Sequence, residues 1–281
     1  MKYIVTGGEG FIGSKIKLEV DGISYDIKSQ QDILDQELLE VSSAETFGIF
    51  HCAALISVPE SMEKPDMYYK TNVDGTKSVI KAAEHNNLKI VFSSSAAVYG
   101  EASTKVSEDN ILNPKSPYAE NKRDGEKLLE ESNIPTIALR YFNIYGPNQS
   151  PEYAGVITHF ITNALQGKDL IIYGDGKQVR DFVYVDDVVE ANILAMEYKN
   201  SEFEIFNIGS GIETTIQQLA ETIIQLTEST SQITFKDARD GDIVYSGADV
   251  TKAKQILGFE AKTSLLEGLK QTITWYRQTL R

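Results

Sequence analysis

The stretch "VTGGEGFIGS", Val5–Ser14, follows a short β-branched run and leads into an apolar segment. It places glycines at Gly7, Gly10 and Gly13, and Gly8 also fits a G-x-G-x-x-G spacing. Glycine is needed where the backbone turns tightly and where a pyrophosphate must approach main-chain N–H groups at a helix N-terminus. Such turns are common, so the setting has to carry the reading. This one sits between the first strand and the first helix, and Asp26 ends the second strand 18 positions after Gly8, placed to accept from a ribose hydroxyl. The plain alternative for Asp26 is a turn residue. An acid there favours NAD, while Lys28 close by leaves NADP open.

Working outward, "YIVTG" (3–7), "ISYDI" (23–27), "GIFHCAA" (48–54), "LKIVFSSS" (88–95) and "PTIALRYFN" (135–143) read as strands. Between them lie helical patterns over 11–20, 64–87 and 116–133. Strands alternating with helices predict an α/β fold, a doubly wound parallel sheet covered on both faces. Beyond about residue 148 the pattern is more mixed, with amphipathic helices near 186–198 and 214–229. The expected division is a Rossmann-type dinucleotide-binding domain over 1–148 and a smaller mixed α/β substrate lobe over 149–281. Segments of that lobe return to pack on the first domain.

The composition, 41% hydrophobic and 24% charged, is that of a globular chain, and no apolar run is long enough for a transmembrane helix. The opening "MKYIVTGGEG" reads as a strand and turn, not as a signal peptide. The single cysteine, Cys52, rules out an internal disulfide and suits a reducing cytoplasm. A net charge of −14 argues against nucleic acid and anionic membranes as partners. It does not exclude a small anionic ligand, because screening over about 8 Å isolates a pocket with its own arginines from remote carboxylates.

"SPYAENK", Ser116–Lys122, puts Tyr118 and Lys122 on one face of a helix. A phenol with a pKa near 10 becomes a base at neutral pH only after roughly 4 kcal/mol of stabilisation of its phenolate. A cation about 5 Å away supplies on the order of 3 kcal/mol at an effective dielectric near 20. A cationic cofactor beside the pair is therefore required. The same spacing recurs at Tyr173 and Lys177, but the glycines of "YGDGK" make that a turn. The first pair is set apart by "IVFSSSAAVYG" upstream, where a strand ends in three serines at the edge where parallel sheets bind ligands. Ser95 is the candidate to bond a substrate hydroxyl.

Six segments in order, "TGGEGFIGS", "SSSAAVYG", "PYAENK", "RYFNIYGP", "IYGDGKQVRDFVYVDD" and "ARDGDIVYSGADVTKAKQILGF", resemble the extended short-chain dehydrogenase/reductase family. Within it they look most like nucleotide-sugar 4-epimerases of the UDP-glucose/UDP-galactose type. The resemblance spans essentially the whole chain. It implies that Tyr118 is the base on the sugar 4-hydroxyl, that Lys122 lowers its pKa and holds the nicotinamide ribose, and that Ser95 binds the reacting oxygen. It puts Phe11 and Ile12 on the pyrophosphate turn and Asp32 and Ile33 at the adenine. Cys52, Ala53, Ala54, Asn72 and Phe142 fall on the remaining NAD wall. Asn143, Arg180 and Arg239 fall on the substrate diphosphate, which arginine forks suit. The plain alternative for each arginine is an ion pair with Asp181 or Asp240, and for Asn72 a polar residue within a helix. Ser246 falls on the sugar-size gate, and its small side chain fits an N-acetyl group. A homodimer through helices near 66–86 and 118–132 is also implied.

Two departures stand out. The segment from Gly13 to Asp26 is about five residues shorter than the family pattern, which shortens the first helix. Ala96 and Ala97 stand where dehydratases of the family carry an acid pair, and alanines transfer no protons. The expected reaction is therefore NAD-dependent inversion at C4 through a 4-keto sugar. The rivals are a sugar-nucleotide oxidoreductase or dehydratase, and a non-catalytic NAD-sensing protein. Asp186 and Asp187 read as a helix cap, and His51, His85 and His159 show no metal-ligand spacing, so no metal is expected.

Overall fold

A computed structural model describes residues 2–35, 46–150, 155–199, 202–239 and 241–279. Strand β1 (Lys2–Thr6) pairs in parallel with β2 (Ile23–Tyr25) on one side and β3 (Thr46–His51) on the other. The sheet continues through β4 (Lys89–Ser95), β5 (Thr136–Tyr141) and β9 (Glu204–Ile208), in the order β2-β1-β3-β4-β5-β9. The chain leaves β1 in one direction and returns past it to β3, so the crossovers reverse at the β1/β3 boundary. A parallel sheet opens its ligand crevice at that point.

Side-chain alternation explains why both faces are covered. Ile4, Ile49 and Ile90 point into one apolar layer, with Val79 of helix α4 (Gly75–Asn86) and Leu129 of α5 (Pro117–Glu130). Their neighbours Val5, Phe50 and Val91 point into the other, with Ile16 of α1 (Phe11–Glu19) and Val188 of α7 (Val185–Glu197). Each strand thus reads as an unbroken apolar run while obeying a period of two. His51 closes this layer from within: Nδ1 lies 2.8 Å from Thr6 Oγ1 and Nε2 lies 3.0 Å from Thr76 Oγ1. Burial, reinforced by the nearby Lys122 cation, pushes its pKa down to about 3. It is a neutral core residue.

The segment expected as one helix over 64–87 is divided. Helices α2 (Val58–Glu63) and α3 (Pro65–Tyr69) precede a π-helical turn over Lys70–Asp74, which continues into α4. The wider turn lets Asn72 reach back to the loop after β3, where it donates to Leu55 O at 2.9 Å and accepts from Leu55 N at 2.8 Å.

In the second half, α7 and α8 (Ile216–Thr227) match the expected helices. Two more, α6 (Val156–Leu165) and α9 (Leu265–Thr279), were not read from the sequence. Valine, isoleucine and threonine are frequent in "VITHFITNAL", and β-branched residues have weak intrinsic helix propensity. Burial of Ile157, Phe160, Leu219, Leu269 and Ile273 in a second core decides the outcome. In the same half, β8 (Val179–Tyr184) pairs with β6 (Asn143–Tyr145), β10 (Glu213–Thr215) and β12 (Tyr245–Ser246). Strands β7 (Leu170–Tyr173) and β11 (Ile233–Lys236) form a separate parallel pair. No helix among the described residues is long and apolar enough to cross a membrane.

The turn after β1 leaves no room for side chains. Gly7 has φ +68°, and a Cβ added at Gly13 would lie 2.2 Å from Gly7 O. Gly13→Ala must therefore push α1 off the turn, and it is expected to cost about 1–3 kcal/mol of stability. Urea unfolding measures this, and an unchanged midpoint contradicts the packing described.

Candidate active site

A cavity of about 270 Å³ opens at the carboxyl ends of β1 and β3, bounded by Gly7, Gly10, Asp26, Asp32, Ile33 and the segment Cys52–Leu55. The Asp26 carboxylate is buried and shared: Oδ1 accepts from Lys28 N at 2.8 Å and Oδ2 from Glu9 N at 2.9 Å. It ties the glycine turn to the end of β2, and each oxygen retains acceptor capacity toward the cavity. Short α1 thus leaves Asp26 in its expected place. Asp32 Oδ1 accepts from Leu34 N at 3.0 Å, and Ile33 packs over Gly75.

The turn fits a pyrophosphate. An added Cβ at Gly10 would meet only Gly7 O, at 3.1 Å, so open backbone faces the cavity where α1 begins. Phe11 and Ile12 form the first turn of α1, and their side chains pack into the two cores. Asn72 does not bound the cavity; its bonds to Leu55 hold the wall that does. The Cys52 thiol, half-buried on that wall, is pushed up to about 11 by burial, against a Ser93 hydrogen bond and the Lys122 charge, so it stays protonated. Phe142 is buried apart from these, packed with Val98, Tyr99 and Val106.

Helix α5 begins at Ser116, whose hydroxyl accepts from Ala119 N at 3.2 Å, with Pro117 in the first turn. This start puts Tyr118 against the end of β4. The Ser95 hydroxyl beside the phenol lowers its pKa, but burial is the larger effect and holds the phenol above its ordinary value of 10. Lys122 does not offset that burial. Its Nζ donates to Ser93 O at 2.7 Å and lies 4.9 Å from the Phe92 ring centroid and 6.0 Å from that of Tyr118. Burial brings the Lys122 pKa down to about 8, against the Glu126 charge. The ammonium is directed at a carbonyl, in keeping with the expectation that the pair needs a cationic cofactor beside it before the phenol can act as a base.

A second cavity of about 240 Å³ gathers Asn143, Arg180 and Arg239, with Tyr173 and Asp242 beside them. Asn143 Nδ2 donates to Asp181 O at 3.0 Å, which holds β6 to β8. Arg180 pairs with Asp242 at 3.1 Å, not with Asp181. Asp181 accepts instead from Ser210 N, Ser210 Oγ and Gly211 N. Asp240 lies outside the described residues. The Arg239 guanidinium stacks 3.7 Å from the Tyr173 ring centroid and lowers the pKa of that phenol. Gly174 and Gly176, at φ +81° and +78°, make the Tyr173–Lys177 segment the expected turn. Ser246 is the bridge partner of Arg180 in β12.

Asp186 and Asp187 are not a cap. The N-cap position of α7 is Tyr184; Asp186 pairs with Lys15 at 2.7 Å, and Asp187 accepts from Lys262 N and Thr263 N at 3.1 Å each. Sequence reasoning also passed over Ser94, Glu126 and Arg140. Glu126 has a signal of its own, since it continues the i, i+4 row of Tyr118 and Lys122.

Comparison with known proteins follows the same lines. A UDP-N-acetyl-alpha-D-glucosaminuronate decarboxylase of Bacillus cytotoxicus is 38% identical over 98% of this chain and 97% of its own length. A putative UDP-glucose 4-epimerase of Methanocaldococcus jannaschii is 36% identical over 99% of both. The crystal structure of UDP-glucose 4-epimerase with UDP-glucose from Thermotoga maritima is 36% identical and superposes with a TM-score of 0.93 over 100% of both chains. Residues 3–209 match the profile of the NAD dependent epimerase/dehydratase family, and the chain belongs to that family.

Proposed function

We propose that this protein is an NAD-dependent 4-epimerase acting on a UDP-linked hexose. The observation that carries the reading is the meeting of the Tyr118 phenol with the Ser95 hydroxyl at the end of β4, with Ala96 and Ala97, not acids, next in the chain. When bound, NAD supplies the acceptor that takes hydride from C4 and returns it. Tyr118 takes the proton of the 4-hydroxyl, and Ser95 holds that oxygen by a hydrogen bond. Gly7, Gly10, Gly13 and the start of α1 receive the pyrophosphate, Asp26 the adenosine ribose, and Asp32 and Ile33 the adenine. Lys122 binds the second ribose.

Arg180, Arg239 and Asn143 grip the UDP diphosphate, and Val156, Phe160 and Ile216 offer an apolar surface to the base. Charge concentrated on the diphosphate anchors the nucleotide while the 4-keto sugar turns to present its other face. Small Ser246 beside Arg180 admits an N-acetyl group. Residues 1–148 serve as the cofactor domain and 149–281 as the substrate lobe, with β9 returning to the main sheet. The reading includes a homodimer through α3, α4 and α5, supported by exposed Met67 and Tyr69, and a cytoplasmic location that suits the single reduced cysteine.

The 38% identity to a decarboxylase motivates a second reading, oxidation of a UDP-uronate at C4 followed by loss of carbon dioxide. That outcome needs a group to reprotonate C5, which neither Ala96 nor Ala97 provides.

Incubation with UDP-glucose, UDP-N-acetylglucosamine and their uronic acids, followed by chromatography and mass spectrometry, separates the readings. Interconversion of C4 epimers without accumulation of reduced cofactor is expected. Tyr118→Phe should lower kcat by about 10²–10⁴-fold while the fold is kept. Carbon dioxide release, stoichiometric cofactor reduction, or full activity in Tyr118→Phe contradicts the proposal.

A further inference from the structure

Three consecutive serines of β4 meet three successive turns of α5. The Ser95 hydroxyl lies beside the Tyr118 phenol and lowers its pKa, Ser93 O accepts from Lys122 Nζ, and Ser94 Oγ donates to Glu126 Oε1 at 2.5 Å. The first two contacts belong to the site already described, whereas the third has no place in it. Glu126 and Arg140 are 3% and 2% exposed, among the most deeply buried charges in the fold. Arg140 stands opposite Ser94 on β5 and holds both carboxylate oxygens, Nε to Oε1 at 2.9 Å and Nη2 to Oε2 at 2.7 Å. Its remaining arm donates to the Tyr99 hydroxyl at 2.8 Å and Glu108 O at 3.2 Å, and Tyr99 donates onward to Asn207 Oδ1 at 2.6 Å on β9.

A buried ion pair is a poor source of net stability, because desolvation offsets most of the attraction. An apolar pair would hold a helix on a sheet equally well. A bidentate guanidinium–carboxylate fork does something an apolar contact does not, since it fixes the distance and angle between two elements. Here it fixes the helix that carries Tyr118 and Lys122.

We propose that Glu126 is a positioning residue for the Tyr118–Lys122 pair. Gripped by Arg140 and Ser94, it sets the depth and rotation of α5 over β4 and keeps a negative charge one helical turn from the Lys122 ammonium. This rests on the reading of Tyr118 as the base. The groups facing Lys122 are Tyr118 and Glu126 from its own helix, His51 and Cys52 at the end of β3, and the Ser93 carbonyl of β4. Of these, His51 is neutral and the Cys52 thiol protonated at neutral pH, and Glu126 is the carboxylate whose charge favours the Lys122 ammonium. Without its charge, Lys122 loses the carboxylate that favours its ammonium and gives up its proton at lower pH.

The test compares Glu126→Gln, Glu126→Asp and the double variant Glu126→Leu/Arg140→Met, in which apolar groups replace both charges. The first readout is the [¹⁵N]lysine NMR titration of Lys122 in NAD-free protein, assigned with Lys122→Arg. The second is kcat and KM against pH for whichever UDP-sugar the wild type converts. Glu126→Gln should move the Lys122 midpoint and the alkaline limb of kcat to lower pH, by roughly half a unit or more. It should also lower kcat by about ten-fold or more with KM changed less than about three-fold. Glu126→Asp should recover part of both effects. The double variant, expected to fold, should keep the loss in kcat.

Wild-type turnover and an unmoved Lys122 midpoint in the double variant overturn the proposal, whether or not Glu126→Gln folds. If no UDP-sugar is converted by the wild type, the functional reading falls. The Lys122 titration then still decides whether Glu126 governs that ammonium.

Discussion

Lys122 is an ammonium buried at the centre of the molecule with a carbonyl for a partner, and the site is arranged around that constraint. Burial disfavours its charged form so strongly that its pKa lies near 8 even after its neighbours have contributed. The Ser93 carbonyl, the Phe92 ring and the carboxylate of Glu126 each return part of that cost. The burial dictates where α5 lies, and so where Tyr118 meets Ser95. His51, beside Lys122 and bonded to two threonines, is kept neutral by its own burial first and by the Lys122 charge second. With Lys122 donating to a carbonyl and burial raising the Tyr118 pKa, the phenol of the free protein stays protonated at neutral pH. On the proposed function, the phenolate would form once a cationic ring lies alongside, which would link base activation to occupancy by the oxidised cofactor.

The same economy governs the second cavity. The chain carries a net charge of −14, yet the arginines of the second cavity are held only lightly. Arg180 has one carboxylate neighbour at 3.1 Å and Arg239 a ring, so both guanidinium forks retain donors for phosphate oxygens. Asp181, adjacent in sequence to Arg180, is kept from it by three hydrogen bonds to Ser210 and Gly211. The acid that sequence proximity suggests as a partner is used instead to pin a loop.

What could be read from the sequence was chemistry packed into short, contiguous segments. The glycine turn, Asp26 at the end of β2, the serines of β4 and the Tyr118–Lys122 spacing each announce themselves within a few residues, and local backbone geometry delivers them to one edge of the sheet. The sequence did not reveal what depends on distant pairing. Arg140 reaches Tyr99 across 41 positions, and Tyr99 reaches Asn207 across 108. Helices α6 and α9 were hidden for a related reason: in α6 weak local propensity is overridden by a core assembled from several remote segments. Lys122 could be placed but not its bonding, because nothing in "PYAENK" tells which acceptor the ammonium will find.

The ionisation of Tyr118 is the most direct quantity to measure. Protein carrying [ζ-¹³C]tyrosine, compared with Tyr118→Phe to assign the resonance, reports the charge of that one phenol by NMR with and without NAD. Burial and the engaged Lys122 require a phenol that stays protonated above its ordinary pKa in the free protein, and the proposed role as base requires that bound NAD bring its titration down toward neutrality. A phenolate at neutral pH without NAD, or a titration that NAD leaves unmoved, would contradict the claim that Tyr118 becomes a base through the company it keeps.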